Sequence, residues 1–167
     1  IVEGYGQTET CGSSLLACIY DTTSNSTGGV TDANELKLVD LPEFEYFSTD
    51  VNPTTGNLEP RGEICIRGYT LFSGYFKNIE ETKKAIDENG WLHTGDVGVI
   101  MTDKGNSIKI IDRAKNLFKL SQGEYIAPEK VQNFLTHSKY INQIFIYGNS
   151  LYSYLIALIY PDLNECI

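Results

Sequence analysis

The segment Gly4-Tyr5-Gly6-Gln7-Thr8-Glu9 concentrates side chains that could bind a nucleotide. Glycines on both sides of a tyrosine permit positive φ angles and a close approach of the backbone to a ligand. In this setting Tyr5 could stack on a base, Thr8 could donate its hydroxyl to a phosphate, and Glu9 could bind Mg²⁺. Two interpretations stay open from these residues alone: a binding loop, or a surface turn whose polar residues are incidental.

A second candidate is the carboxylate of Asp96, which follows Gly95 beside an expected strand. An acidic residue in such a position can accept two hydrogen bonds from ribose hydroxyls, as in dinucleotide sites. The alternative is an Asx turn that caps the strand. His93 precedes it by three residues, but nothing in the sequence pairs with this histidine, so general-base catalysis is not predicted for it.

Three cations, Arg113, Lys115 and Lys119, fall within seven residues of a chain whose net charge is −9. In an extended segment they would share one face, because side chains alternate along a strand, and the other face would be apolar. Such a cationic stripe suits a phosphate-bearing ligand. A solvated strand face explains the segment equally well when it is taken alone.

Other signatures of nucleotide or hydrolase sites are absent from the sequence, which contains no GxxxxGK[ST], GxGxxG or GxSxG motif. The residues alone therefore indicate no more than a nucleotide or anion binder.

Composition narrows the class of protein. The 167 residues are 41% hydrophobic and 11% aromatic, which is typical of a globular chain with a real core. The excess of negative charge argues against nucleic-acid binding. The longest apolar run, from Leu151 to Tyr160, is far shorter than the roughly 20 residues that span a membrane, so we expect a buried strand there.

The cysteines are Cys11, Cys18, Cys65 and Cys166, with no CxxC pair, and there are only two histidines. This pattern does not predict a structural zinc site. We expect free, buried thiols in a reducing compartment.

The elements that would position these residues are short strands and two helices. Alternating or apolar stretches predict strands near 35–41, 63–67, 97–101, 107–111, 116–120, 124–126, 141–147 and 152–160. Helical spacing predicts one helix over 78–88, ended by Asn89-Gly90, and another from Pro128 to about Thr136. The pattern restarts near residue 115, which indicates a second, small α+β module.

Taken in order, the motifs resemble those of the adenylate-forming superfamily, and specifically its long-chain acyl-CoA synthetases. The segment YGQTE at 5–9 is similar to the YGxTE motif of that family. RGEICIRG at 61–68, followed by FSGY at 72–75, is similar to its GE-x-x-x-x-G…GY segment, and GWLHTGD at 90–96 to its GW-x-x-TGD motif. IDRAK at 111–115 with KLSQGEYIAPEK at 119–130 resembles its hinge and the loop that follows, and this match is the most specific. The resemblance covers essentially the whole chain.

The resemblance implies a two-step ligase that converts a fatty acid, Mg-ATP and CoA into acyl-CoA, AMP and pyrophosphate through an acyl-adenylate. It implies nucleotide binding by Tyr5 and Gly6 at the adenine, Thr8 at the phosphate, Asp96 at the ribose hydroxyls and Arg113 at ribose and phosphate, with Glu9 as the Mg²⁺ ligand. Thr8, Glu9, Arg113 and Lys115 would be catalytic.

The same resemblance implies a moving joint. Lys115 would be the hinge about which a small domain rotates between the two half-reactions. Lys119, Gly123 and Glu124 would belong to a loop that faces the adenylate or lines the CoA channel.

The implied fold is α+β. Residues 1–114 would form the β-rich, distorted barrel-like end of the large adenylation domain, and 115–167 the start of the small mobile C-terminal domain. The family's TSGTTG-type phosphate loop, acyl tunnel and late catalytic lysine are not found in these residues, so we expect an excised fragment that is inactive alone. The implied setting is intracellular, on the cytoplasmic side, with peripheral association with a membrane such as the endoplasmic reticulum.

Two alternatives stay open. The acid substrate could differ, because the acyl pocket lies outside the chain, although QGEYIAPEK favours the fatty-acid branch. The chain could instead be a non-catalytic nucleotide-binding module. Against that module, Thr8, Glu9, Asp96 and Arg113 all keep the required functional groups together.

Overall fold

A computed structural model describes residues 2–166. Within them the chain forms strands and two helices, in the order β1 (Gly4–Gln7), β2 (Gly12–Leu16), β3 (Gly29–Val30), β4 (Asn34–Val39), β5 (Arg61–Gly68), α1 (Ile79–Ala85), β6 (Leu92–Met101), β7 (Ser107–Arg113), β8 (Phe118–Lys119), β9 (Tyr125–Ile126), α2 (Pro128–Leu135), β10 (Ile141–Tyr147) and β11 (Ile156–Pro161). Short 3₁₀ turns occupy Thr8–Thr10, Pro42–Phe44, Thr102–Lys104 and Ala114–Asn116.

The chain divides into two compact units, Ile1–Ile110 and Ile111–Ile167. The predicted α+β, β-rich class is confirmed. The sheets are open, with three strands (β1-β2-β3), four strands (β4-β5-β6-β7) and two pairs (β8-β9 and β10-β11), so the described residues close no barrel. Assignment of the units to two domains of a larger enzyme, divided after residue 114, stays a prediction.

The core of the first unit lies on one face of the four-stranded sheet. Residues of β5 alternate, so Ile64 and Ile66 point to the face opposite that of Glu63 and Cys65. The two isoleucines pack with Leu15 of β2 and Ile108 of β7 in the buried core. The hairpin that contains the opening segment is thereby fixed against the sheet.

The ladder between β5 and β6 contains a bulge. Glu63 pairs with Val97 and Cys65 pairs with His93, so the single residue between them on β5, Ile64, faces residues 94–96 of β6. Gly95 accommodates the protrusion with a φ of +70°. Bulges of this kind re-aim side chains and are frequent beside active sites. The strand predicted over 97–101 starts earlier than expected, because β6 begins at Leu92 and continues through the bulge.

The opening segment was predicted as a loop and is instead strand β1 followed by a 3₁₀ turn. Strand β1 pairs with β2, and the register shifts between Tyr5 and Gly6. A Cβ on Gly6 would lie 2.1 Å from the carbonyl oxygen of Gly12. This glycine is therefore required by the close approach of the two backbones within the hairpin.

Helix α1 is shorter than predicted. The Asn78 side chain caps its N-terminus by accepting from the Glu81 N–H. The helix ends at Ala85 because Ile86 turns extended and bridges to Leu92. The pair Asn89-Gly90 belongs to a later turn and does not cap the helix.

The second unit contains the hairpin β8-β9, helix α2 and the hairpin β10-β11. Helix α2 and β10 agree with the predicted ranges, with α2 one residue shorter. The strand predicted over 152–160 is confirmed only from Ile156, where β11 starts, and its expected burial was wrong because its apolar side chains are exposed. No helix among the described residues is long and apolar enough to span a membrane.

Candidate active site

The carboxylate of Asp96 is the point where the opening segment and β6 meet. Its Oδ2 accepts hydrogen bonds of 2.6 Å from the Tyr5 hydroxyl and 2.6 Å from the Gln7 side-chain amide. The same amide donates to the carbonyl oxygen of Thr94 at 3.0 Å. Asp96 is 5% exposed, and the hydrogen bonds from Tyr5 and Gln7 offset the cost of burying its carboxylate.

The bulge in β6 positions this carboxylate. The Thr94 hydroxyl donates to the Ile64 carbonyl at 2.7 Å and accepts from the Asp96 N–H at 3.1 Å. The Gly95 N–H donates to Glu63 Oε1 at 3.1 Å. Side chains thus take up the hydrogen bonds that the interrupted ladder cannot make, which gives Asp96 a defined orientation.

Glu9 lies at the other end of the opening segment and contacts the loop after β5. Its Oε1 accepts a 2.6 Å hydrogen bond from the Tyr75 hydroxyl, and its carbonyl oxygen accepts from the Phe72 N–H at 2.9 Å. The hydrogen bond to Glu9 raises the pKa of the Tyr75 phenol above its ordinary value, because ionised tyrosine could no longer donate it. The FSGY segment therefore orients the Glu9 carboxylate.

Thr8 is exposed and begins the 3₁₀ turn that carries Glu9. The neighbouring Thr10 is fully buried, and its hydroxyl accepts from the Gln7 N–H at 2.8 Å. The buried Thr10 therefore fixes the turn to the interior, while the Thr8 side chain is exposed to solvent. Of the predicted residues of the first unit, the structure thus brings Tyr5 and Asp96 into direct contact and places Thr8 and Glu9 on the adjoining turn.

The remaining predicted residues lie in the second unit. The prediction that three cations share one face of an extended segment was wrong. The 3₁₀ turn Ala114–Asn116 interrupts the strand, so side chains no longer alternate regularly between two faces there. Arg113 is exposed at the end of β7 and Lys115 lies within that turn. Lys119 donates to the Tyr125 hydroxyl at 2.9 Å across the β8-β9 hairpin. The hairpin's turn contains Gly123, with a φ of +92°, and the exposed Glu124.

Sequence reasoning missed two residues of this site, Gln7 and Tyr75. A strand assignment for residues 4–7 would have found Gln7, since residues two apart lie on one face and Gln7 follows Tyr5 at that spacing. The contact of Tyr75 with Glu9 joins positions 66 apart and has no local signal.

The expectation of buried thiols holds only for Cys65, because Cys11, Cys18 and Cys166 are exposed. Burial, reinforced by the nearby Glu63 carboxylate, raises the pKa of the Cys65 thiol to about 12. Its protonated form is favoured in the folded chain, so the stability that this contributes is present below about pH 9 and is lost as the pH rises toward 12.

We therefore expect three thiols to react rapidly with an excess of a disulfide reagent at pH 8, and Cys65 to react only after unfolding. Counting the released thiolate by absorbance, with and without denaturant, measures this. Four equally fast thiols in the native chain would contradict the prediction.

Residues 1–76 match the family model of the AMP-binding enzymes. The chain is 49% identical over 165 residues to the peroxisomal long chain acyl-CoA synthetase 6 of Arabidopsis thaliana and 45% identical over 162 residues to the fatty acyl-CoA synthetase A of Dictyostelium discoideum. Each alignment covers 97% of this chain but only 22% and 23% of the respective relative. The chain thus spans less than a quarter of the length of these relatives.

The fold of this chain also matches part of a solved adenylation-domain structure. The adenylation domain of a carboxylic acid reductase from Segniliparus rugosus, in complex with AMP and a co-purified carboxylic acid, superimposes with a TM-score of 0.81 at 37% identity. The superposition covers 98% of this chain and 23% of that one. The resemblance expected from the sequence motifs is therefore confirmed.

Proposed function

Because this chain is homologous to a segment of the long-chain acyl-CoA synthetases of the adenylate-forming superfamily, we propose that it carries part of the nucleotide site of an ATP-dependent fatty acid–CoA ligase. The observation that carries the proposal is the convergence of Tyr5 and Gln7 on the Asp96 carboxylate. Motifs 91 positions apart in the sequence form one constellation there.

The proposed nucleotide runs from Asp96 toward Thr8. The Asp96 carboxylate accepts from the ribose hydroxyls, while the Tyr5 ring, beside Gly6, stacks on the adenine. The exposed Thr8 hydroxyl donates to a phosphate. The Arg113 guanidinium binds the ribose and the phosphate. Each of these side chains has the functional group that its proposed role requires. The hydrogen bond between Tyr5 and Asp96 supports their placement in one nucleotide site.

Glu9 fits a Mg²⁺ ion that accompanies the phosphates. Its carboxylate is partly exposed. Its Oε1 accepts the hydrogen bond from the Tyr75 hydroxyl. Mg²⁺ in nucleotide sites commonly takes one or two carboxylates besides phosphate oxygens and water. When bound, the ion would offset the charge of the phosphates.

The proposed reaction has two steps. A fatty-acid carboxylate oxygen attacks the α-phosphorus of ATP, and pyrophosphate leaves with the electrons of the broken P–O bond. The CoA sulfur, having lost its proton, then attacks the carbonyl carbon of the acyl-adenylate, and AMP leaves. Arg113 stabilises charge at the phosphorus in the first step.

The second unit contains the residues for which we propose movement between the two steps. Lys115 lies in a 3₁₀ turn, a short element suited to a hinge, which supports the proposed rotation between the two steps. The β8-β9 hairpin presents Lys119, Gly123 and Glu124, which would face the adenylate or the CoA channel.

The test is ATP–pyrophosphate exchange and acyl-CoA formation by the full-length protein that carries these residues, with long-chain fatty acid, Mg²⁺ and CoA. We expect both activities, and neither from the 167-residue chain alone. Exchange without a preference for long-chain acids would favour another carboxylic acid, an alternative supported by the likeness to the carboxylic acid reductase domain. Nucleotide binding without exchange would favour the non-catalytic module.

The proposed place of action is inside the cell, with the enzyme peripheral to a membrane such as the endoplasmic reticulum. The name of the Arabidopsis relative also makes the peroxisome a candidate. Cell fractionation of the tagged full-length protein distinguishes these locations.

Replacing Gly95 by alanine tests the role of the bulge. Gly95 and Gly56 have φ values of +70° and +72°, and a Cβ on either would meet no atom within 4 Å. Both alanine variants should therefore lose about 1–2 kcal/mol of unfolding free energy from left-handed strain alone. We expect only Gly95→Ala to raise the KM for ATP of the full-length protein, since only that strain distorts the support of Asp96. Equal KM values for the two variants would contradict the assignment.

A further inference from the structure

The sheet brings a carboxylate, a thiol and an imidazole together on the face opposite the core. Glu63 and Cys65 lie two residues apart on β5, and the ladder pairs Cys65 with His93. His93 Nδ1 lies 2.8 Å from Glu63 Oε2 and 3.5 Å from Cys65 Sγ, and that sulfur lies 3.9 Å from the same carboxylate oxygen. The Asp96 site uses none of these three atoms.

Tetrahedral zinc has bonds of about 2.0–2.3 Å to N, O and S, which places its ligand atoms roughly 3.3–3.6 Å apart. The three distances here bracket that range, so small side-chain movements suffice to admit an ion. A thiolate with an imidazole suits zinc, whereas Mg²⁺ and Ca²⁺ prefer oxygen ligands. We propose that Glu63 Oε2, Cys65 Sγ and His93 Nδ1 bind one zinc ion, with water as the fourth ligand.

The outer contacts of these ligands fit that role. His93 Nε2 lies 3.7 Å from Asp87 Oδ2. With its proton on Nε2, facing Asp87, the imidazole presents the lone pair of Nδ1 to the metal, as metal-binding histidines commonly do. The N–H groups of Asn89 and Trp91 each donate to Asp87 Oδ1 at 2.9 Å and fix that carboxylate. Glu63 is likewise oriented, because its other oxygen accepts from the Gly95 N–H.

The ion has a route to the site. Cys65 is fully buried, but the side chains of His93 and Glu63 are 32% and 16% exposed. Zinc would enter past the imidazole, and water would complete its coordination on that side. The thiol proton leaves to solvent as the S–Zn bond forms. The bound ion would join β5 to β6 at the base of the bulge, where it stabilises the strands that hold Asp96.

The test starts from the 167-residue chain in which the exposed Cys11, Cys18 and Cys166 are replaced by serine, so that Cys65 is the one remaining thiol. Titration with Co²⁺, followed by its thiolate charge-transfer absorbance, and calorimetry with Zn²⁺ measure binding directly. We expect one ion per chain, tetrahedral cobalt spectra and a rise in the unfolding temperature with Zn²⁺.

Adding Cys65→Ser should remove the charge-transfer band, and His93→Asn should weaken zinc binding by about 100-fold or more. His137→Asn is the matched control and should change nothing, because His137 Nδ1 lies against the Asn133 carbonyl in helix α2, outside this cluster. Asp87→Asn should weaken binding about tenfold through its contact with His93.

Two results would overturn the proposal: absence of the charge-transfer band from the chain that retains Cys65, or equal zinc affinity in the His93→Asn and His137→Asn variants. A serine hydroxyl in place of a buried thiol can unfold the sheet. The comparison of the two histidine variants therefore decides the matter independently, with circular dichroism verifying that both are folded.

Discussion

Replacing Asp96 by alanine in the full-length protein is expected to lower kcat/KM for ATP by about 100-fold or more. Each hydrogen bond from a ribose hydroxyl to this charged acceptor should contribute roughly 1.5–3 kcal/mol, and the substitution removes both. It also leaves the Tyr5 hydroxyl and the Gln7 amide without their shared acceptor. Steady-state kinetics with varied ATP measure the effect.

The control is Asp103→Ala, which removes an exposed carboxylate from the turn after β6 and should leave kcat/KM within twofold of the parent. Asp96→Asn separates geometry from charge. It keeps an oxygen that can accept from Tyr5 and Gln7, so the fold around it should survive while ATP use falls. Unchanged kinetics in Asp96→Ala would remove this residue from the nucleotide site.

The largest effect on stability is expected from Ile64→Ala. This side chain is 0% exposed and lies at the centre of the cluster with Leu15, Ile66 and Ile108. Loss of its buried methyl and methylene groups, and the cavity that remains, should lower the unfolding free energy by about 2–5 kcal/mol. Urea denaturation followed by the fluorescence of the single tryptophan, Trp91, measures the first unit directly, since that residue lies within it.

Ile19→Ala is the matched control because the same atoms are removed from a side chain that is 72% exposed. Its effect should stay within about 0.5 kcal/mol. If both variants unfold at the same urea concentration, Ile64 does not occupy the core position assigned to it.

Much of this structure could be predicted from local patterns. The alternation around Ile64 and Ile66 indicated a strand with one buried face. Pro128 correctly marked the start of α2. Motif order was equally informative about the site, because Tyr5 and Asp96 came from separate motifs and are in contact in the structure.

The errors arose where tertiary contacts overrode local preference. Asn89-Gly90 has the composition of a helix C-cap, yet the bridge from Ile86 to Leu92 ends α1 earlier. The apolar run after Leu151 predicted a buried strand, but strands β10 and β11 form a two-stranded sheet whose exposed residues include Leu158 and Tyr160.

The Glu63, Cys65 and His93 cluster was beyond sequence reasoning for a different reason. Zinc motifs are recognised by short spacings such as CxxC, whereas Cys65 and His93 are 28 positions apart. Only the register between β5 and β6 makes them neighbours. That register, interrupted by the bulge, could not be deduced from alternation alone.

The bulge has a consequence for how the chain can change length. A deletion of Thr94 and Gly95 would leave Asp96 opposite Ile64 and an unbroken ladder, with Val97 still opposite Glu63 and His93 still opposite Cys65. The strands on either side would keep their partners, while Asp96 would lose the protrusion that carries it. The pairing of β5 with β6 therefore does not depend on these two residues. They carry Asp96 out of the ladder, and without them its carboxylate would share a face with the buried Ile64.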